Sequence, residues 1–487
     1  MDFKEFQKFA ESYNVIPVAK TLLADMLTPV SAYLHLRRET GSSFLFESIE
    51  GNERIARFSF IGRDPVLLLK CKVKITTITE NGASTEVEEN FFDLIDNTLK
   101  RFTYPSLPDL PRFTGGLVGY IGYDAIRFIE DIPDTVENNL SFPDSMLGVF
   151  TTIVVFDHFK HQLTIIHNAV IKKDLDLRMQ FDHALSDIDR IENLLTKFNG
   201  APPKFVSEYR SLNSEMTKNQ YQDIVQKAKD YICSGDIFQV VLSQRFSTNY
   251  RGDLFNVYRS LRVLNPSPYL FYLDFEGNKI IGSSPEVLIR IENQTAELYP
   301  IAGTRPRGKN DSDDLRMEQE LLADEKERAE HIMLVDLGRN DLGRICDAGS
   351  VTVDQFMFIV KYSHVMHIAS RITGKVLNSK SCVDVFKSTF PAGTVSGAPK
   401  IRAMEIIDKL EISRRGIYAG GVGYFGFSGN MDFCITIRSL FASENRIYFQ
   451  AGAGIVADSE PDNEYFETIN KSKALIEALR TAEGIIF

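Results

Sequence analysis

Gly420-Gly-Val-Gly-Tyr-Phe-Gly-Phe-Ser-Gly-Asn-Met-Asp-Phe-Cys-Ile-Thr-Ile-Arg-Ser-Leu440, continued by Arg446-Ile-Tyr-Phe-Gln-Ala451, reads as strands over 420–427, 432–440 and 446–451. Aromatic and β-branched residues fill all three. Gly426-Phe-Ser-Gly-Asn430 is a connection of hairpin length, which implies antiparallel pairing. Outward from this core, further strands are expected over 278–282 and 287–291, with helices near 316–342, 382–389, 397–411 and 462–482. The class is α+β: large antiparallel β-sheets with helices outside.

The N-terminal part follows the same grammar. Runs over 150–156 and 162–167 flank a polar turn and read as a hairpin. A helix over about 175–198 carries apolar Leu177, Phe181, Leu185, Ile188, Ile191 and Leu195 at helical spacing. Asn199-Gly-Ala-Pro-Pro-Lys204 opens the best linker, which divides an N-terminal domain over 1–205 from a second over 215–487. Thr217-Lys-Asn-Gln220 is a capping-box signature for a helix that ends near Ser234-Gly235.

Composition narrows the function classes. A chain of 487 residues exceeds one ordinary core. A formal charge of −11 and the lack of a basic stripe argue against a nucleic-acid partner. No apolar run reaches the length of about eighteen residues needed to span a membrane. The five cysteines are odd in number and far apart, without CxxC spacing, so no disulfide framework or zinc site is expected and a cytoplasmic location fits. Tryptophan is absent.

Two acidic helices carry the chemistry. Glu464, Glu467, Thr468 and Lys471 fall on one face of the last helix, just after the glycine-rich strand end Ala451-Gly-Ala-Gly454. Glu327, Glu330, His331 and Leu334 repeat that spacing on a second helix. A glycine-lined turn lets a small anion approach the backbone, and converging carboxylate pairs suit a hard cation such as Mg²⁺. The alternative for each pair is a solvated, salt-bridged face. Three glycine patterns, at 421–426, 452–457 and 393–400, lack the context of nucleotide-binding loops.

Pro300-Ile-Ala-Gly-Thr-Arg-Pro-Arg-Gly308, Glu330-His-Ile-Met-Leu-Val-Asp-Leu-Gly-Arg-Asn-Asp341, Phe390-Pro-Ala-Gly-Thr-Val-Ser-Gly-Ala-Pro-Lys400 and Ala451-Gly-Ala-Gly-Ile-Val-Ala-Asp-Ser459 resemble the chorismate-utilising enzymes. The match is closest to the large subunits of anthranilate synthases and covers 215–482. It implies a sandwich-like packing of the sheets and a reaction of chorismate with ammonia that yields anthranilate and pyruvate. By this resemblance Glu327, Glu330, Glu464 and Glu467 hold Mg²⁺, and Tyr418, Arg438 and the backbone near Gly454 hold the substrate. Thr304, Thr394, Lys471, Ala302 and Gly303 complete the substrate site. Glu286 matches the general acid, and His367 matches the residue of the second, pyruvate-releasing step. Gln239 stands where water-adding relatives keep a lysine base, and Ala302 where aminodeoxychorismate synthases keep a lysine nucleophile.

The resemblance also implies regulation and a partner. Glu47 and Ser48, with Asn265, Pro266, Ser267, Pro268 and Tyr269, resemble a feedback site for L-tryptophan, Glu47 receiving the α-ammonium. No cysteine sits in a nucleophile-elbow setting, so ammonia is expected from a separate glutamine amidotransferase subunit. The competing readings are an aminodeoxychorismate synthase component I and a non-catalytic tryptophan-binding regulatory subunit.

Overall fold

Strands Gly421–Gly426 and Met431–Ile435 form the expected hairpin, with Val422 opposite Cys434. The second of the three expected strands is not continuous over 432–440. The chain leaves one sheet at Ile435, turns through Arg438 at φ 50°, and enters a second sheet as Ser439–Ser443. The alternation Cys-Ile-Thr-Ile-Arg is compatible with a strand, but the two halves belong to different layers. Their polar groups are satisfied across the break: Ile435 N donates to Glu286 O (3.0 Å), and Ser283 N donates to Arg438 O (3.2 Å). A left-handed non-glycine residue costs about 1–2 kcal/mol, so the surrounding pairings must impose it.

The structure is a computed structural model describing residues 1–38, 40–48, 57–136, 138, 140–197, 202–362 and 365–485. Residues 199–201 of the expected linker lie outside these. Two antiparallel sheets, of 13 and 12 strands, form the frame. The larger includes Ser42–Glu47, Tyr269–Phe275, Asn278–Ser284, Ser439–Ser443, Arg446–Ile455 and Gln239–Arg251 in neighbouring order. The smaller includes Ile301–Pro306, Val365–Lys375, Thr295–Leu298, Val287–Glu292, Met431–Ile435, Gly421–Gly426 and Gly116–Ile121. Sequence before and after the expected linker contributes to both sheets: Ser42–Glu47 pairs with Tyr269–Phe275, and Gly116–Ile121 with Gly421–Gly426.

Between the sheets lies an aromatic layer that includes Phe44, Phe60, Phe113, Phe150, Phe271, Tyr424 and Phe441. Outside the larger sheet pack Phe3–Ala10, Pro29–Leu36, Leu177–Leu195, Phe255–Leu264 and Pro461–Glu483. Outside the smaller pack Phe91–Lys100 and Cys382–Thr389. Each fully buried large side chain contributes about 1.5–3 kcal/mol, so these layers dominate the stability. This is the expected sandwich with helices outside. Gly423 and Gly119 sit opposite one another. A Cβ on Gly423 would stand 2.0 Å from the Asp432 carbonyl oxygen, so only glycine fits there.

One helical expectation changes. The run over 316–342 is two helices, Asp311–Ala323 and Glu325–Gly343, broken at Asp324. Asp324 caps the second helix, its side chain accepting from Lys326 N and Glu327 N. The break re-aims the segment that carries Glu327 and Glu330. The capping box at Thr217 and the last helix, Pro461–Glu483, match expectation.

Candidate active site

The sheet switch sets the site. Arg438 is half-buried at the break, and Glu286 lies between Asn278–Ser284 in one sheet and Val287–Glu292 in the other. Burial pushes the Glu286 carboxyl up to about 7, against the opposing pull of the Thr394 hydroxyl and the positive Arg438 and Lys471. Near neutral pH, therefore, a proton is present on Glu286 in a large share of molecules. Burial in turn lowers the Arg438 guanidinium, with Tyr362 and Glu286 acting the other way.

His367 is buried on Val365–Lys375, opposite Thr304. Its Nδ1 lies 2.8 Å from Gly303 O and 3.1 Å from Thr304 Oγ1. A carbonyl only accepts, so Nδ1 carries the hydrogen in that bond and Nε2 keeps the lone pair. Burial lowers the His367 pKa, which favours this neutral form. Gly303 adopts φ 71°, and a Cβ there would stand 3.1 Å from Glu327 Oε2. One glycine thus joins the histidine to the first acidic helix. Ala302 is buried beside it, opposite Ile368.

The glycine strand forms another wall. Gly454 pairs with Val241, and a Cβ there would meet Gln239 Nε2 at 2.8 Å. Gln239 is buried and donates from Nε2 to Glu330 Oε1 at 3.0 Å. A Cβ on Gly452 would stand 2.9 Å from the hydroxyl of buried Tyr418. Lys471 Nζ donates to Gly452 O (2.9 Å) and pairs with Glu467 (2.7 Å). Thr394 lies in the turn Gly393–Val395.

The two acidic helices approach one another, since Lys326 lies within electrostatic reach of Glu464. Burial raises Glu327 and Glu464, and each is raised further by its own helix partner, Glu330 or Glu467. Such mutual repulsion within all-oxygen pairs is what a hard cation relieves. The carboxylates have other partners here: Arg305 Nη1 lies 3.2 Å from Glu327 Oε1 and Arg305 Nη2 2.7 Å from Asp324 Oδ2. Among the described residues, no three His, Cys, Asp or Glu side chains stand close enough to hold a metal ion.

The other expected site is separate. Glu47 ends Ser42–Glu47 opposite Leu270 and is buried. Its Oε2 accepts from Tyr258 (2.8 Å) and from Arg262 (2.7 Å), both on Phe255–Leu264. A cavity of about 40 Å³ is lined by Glu47, Ser48, Phe58, Pro268, Tyr269 and Tyr424 among others. Tyr269 donates to Asp432 (2.7 Å) and accepts from Arg290 (2.8 Å). Asn265 Nδ2 donates to Ser283 Oγ (3.3 Å), buried Ser267 donates to Ser283 O (3.5 Å), and Pro266 lies between them.

Sequence reading missed two residues that brace the site. Arg305 belongs to the quoted 300–308 stretch but was not singled out. The buried Arg415 bonds to Glu411 and to the carbonyls of Val241 and Val395, tying the Gly393–Val395 turn to the larger sheet. Its only sequence signal is the doubled arginine Arg414-Arg415.

Residues 41–477 match the family model for chorismate binding enzymes. Anthranilate synthase component 1 of Acetivibrio thermocellus is 46% identical over 492 aligned positions, covering 99% of this chain and 98% of that protein. The crystal structure of anthranilate synthase component I from Streptococcus pneumoniae matches with a TM-score of 0.75 at 36% identity, covering 93% of this chain and 99% of that one. The menaquinone-specific isochorismate synthase of Escherichia coli shares the fold, with a TM-score of 0.71 at 19% identity and 98% coverage of both chains.

Proposed function

The chain belongs to the chorismate-binding enzyme family, and on that premise we propose that it is the large subunit of an anthranilate synthase. It converts chorismate and ammonia into anthranilate and pyruvate. The observation that carries this reading is Glu286, held up to about 7 by burial, beside the half-buried guanidinium of Arg438. The first step forms a C–N bond as the ring C4–O bond breaks. Hydroxide leaves poorly, and the Glu286 proton lets it depart as water. Arg438 would offer parallel N–H donors to a carboxylate of the substrate; Thr394 and Lys471 act on the same Glu286 carboxyl, and Tyr418 and the backbone at Gly454 are assigned to the substrate with them.

In the second step the ring loses a proton, the ring C–O bond to the enolpyruvyl group breaks, and the departing enolate takes up a proton to leave as pyruvate. Nε2 of neutral His367 supplies the lone pair for the ring proton. Two uncharged residues bear on the reaction type. The Gln239 amide, engaged with Glu330, cannot deprotonate water. Ala302 offers no amine to attack the ring, which argues against an aminodeoxychorismate synthase.

Glu327 and Glu330 on one helix and Glu464 and Glu467 on the other do not close around an ion as they stand; they would hold Mg²⁺ partly through water, and the ion would offset substrate carboxylate charge between two acidic helices. Ammonia would come from a glutamine amidotransferase subunit. Burial raises the thiols of Cys71, Cys346, Cys382 and Cys434, so none is poised as a glutaminase nucleophile. L-Tryptophan would bind by Glu47, Ser48 and the turn from Asn265 to Tyr269, and inhibit. All five cysteines are free, in keeping with a cytoplasmic setting. Among the described residues no helix is long and apolar enough to cross a membrane.

Product analysis tests the reading. With chorismate, Mg²⁺ and ammonium, the purified protein should release a blue-fluorescent aromatic amine and stoichiometric pyruvate. A non-aromatic amine without pyruvate points to an aminodeoxychorismate synthase, and tight tryptophan binding without turnover to a regulatory subunit.

A further inference from the structure

Tyr362 touches both halves of the chemistry without being one of its reacting groups. It follows the strand Thr352–Lys361 and is half-buried. Its hydroxyl donates to Pro285 O (3.2 Å), the carbonyl immediately before Glu286. Its ring meets the His367 imidazole edge to face, with centroids 5.7 Å apart and planes at 65°. The phenol also lies within electrostatic reach of Arg438.

The backbone beneath this side chain is fixed from two directions. Tyr362 N donates to Val365 O (2.8 Å), and Arg307 Nη1 donates to Tyr362 O (2.7 Å). Arg307 is itself clamped by Asp314, with Nε 2.9 and 3.1 Å from the two carboxylate oxygens. The anchored backbone fixes where the side chain starts, and the hydroxyl is aimed at the peptide that carries Glu286.

We propose that Tyr362 is a positioning residue that holds the Glu286 peptide and the His367 ring in their working geometry, the hydroxyl serving the first step and the ring the second. This rests on the reading of Glu286 and His367 as the acid and the second-step base. The two parts of the side chain are separable. Removing only the hydroxyl frees the Pro285 carbonyl and leaves the ring against His367. Removing the aromatic ring loosens the imidazole as well.

The test compares Tyr362→Phe, Tyr362→Leu and Glu286→Gln in the full chain, with chorismate, Mg²⁺ and ammonium. Anthranilate, pyruvate and any released non-aromatic amine are quantified together. Tyr362→Phe should lower kcat roughly tenfold, as expected for one lost positioning bond, with KM for chorismate within about twofold and anthranilate still the sole product. Tyr362→Leu should in addition release the aminated intermediate that still carries its enolpyruvyl ether. A Tyr362→Phe enzyme with wild-type kcat overturns the proposal. So does a Tyr362→Leu enzyme that weakens without releasing intermediate. If Glu286→Gln collapses while both Tyr362 variants behave as wild type, only the positioning role fails. If Glu286→Gln keeps full turnover, the acid assignment fails and takes the proposal with it.

Discussion

The region around Glu286 and the region around Glu47 use the same kind of group in opposite ways. Both carboxyls lie at a strand end in or beside the larger sheet. Among the described residues no cation makes a hydrogen bond to the Glu286 carboxyl, which burial pushes up to about 7. Glu47 is buried against an arginine and a tyrosine, with a cavity of only about 40 Å³ beside it. The first carboxyl is kept away from its ordinary charge state, as the proposed acid role requires. The second is paired within the protein through Oε2, so an amino-acid ligand proposed to bind there would compete with an internal partner. Burial alone does not make a carboxyl functional; what decides its role is which charges are left uncompensated.

The hardest break in this contrast is Glu286→Gln. The amide keeps the shape and removes the transferable proton, so kcat should fall by ~10²–10⁴, the usual range for a positioned general acid. Chorismate binding, measured by equilibrium dialysis, should change little. Turnover within about twofold of wild type would remove Glu286 from the mechanism.

How far this contrast could be read in advance depends on the range of each signal. The paired glutamates at i and i+3, the glycine strand and the 426–430 hairpin are local patterns and were legible. The change of sheet at Arg438 was not, because Cys-Ile-Thr-Ile-Arg alternates like a strand and nothing local says that the next residue joins another layer. The helix break at Asp324 falls in a charged run without glycine or proline, and only the cap geometry reveals it. Tyr362 acts on a carbonyl 77 residues away, a distance at which spacing carries no information. The Arg262 partner of Glu47 was missed for the same reason, and it changes what the proposed tryptophan binding would involve.

Titration gives a smaller effect that sharpens the comparison. Glu286 takes up its proton near 7 when folded but near the ordinary 4.5 when unfolded. Between these values the folded state binds more protons, so this group favours folding most at low pH. That contribution shrinks as pH rises through about 7 and is then level. Thermal melts from pH 5 to pH 8 should therefore show a downward trend in wild type that is flatter in Glu286→Gln. Activity at constant free ammonia should fall over the same upper range, since the acid form is the working one. Parallel melting profiles for the two proteins would show that Glu286 titrates normally.

The proposed regulatory pocket should respond least in turnover and most in inhibition. Glu47→Gln removes the charge that would receive an α-ammonium but keeps an oxygen for Tyr258. The concentration of tryptophan for half-inhibition should rise at least about tenfold, the loss of one charge-assisted bond, with kcat unchanged. Arg262→Gln tests the competition directly. The Arg262 side chain is 35% exposed while Glu47 is 1% exposed, so the arginine can be spared to solvent but the glutamate cannot. Without Arg262 the buried carboxylate lacks its cation, and a ligand ammonium would supply one. Tryptophan should then inhibit a few-fold more strongly than in wild type, at some loss of stability to the free protein. Because the chain contains no tryptophan, the ligand's own fluorescence reports its binding. Weaker binding in Arg262→Gln would mean that the arginine helps to form the pocket, and Glu47 would then be a structural ion-pair partner.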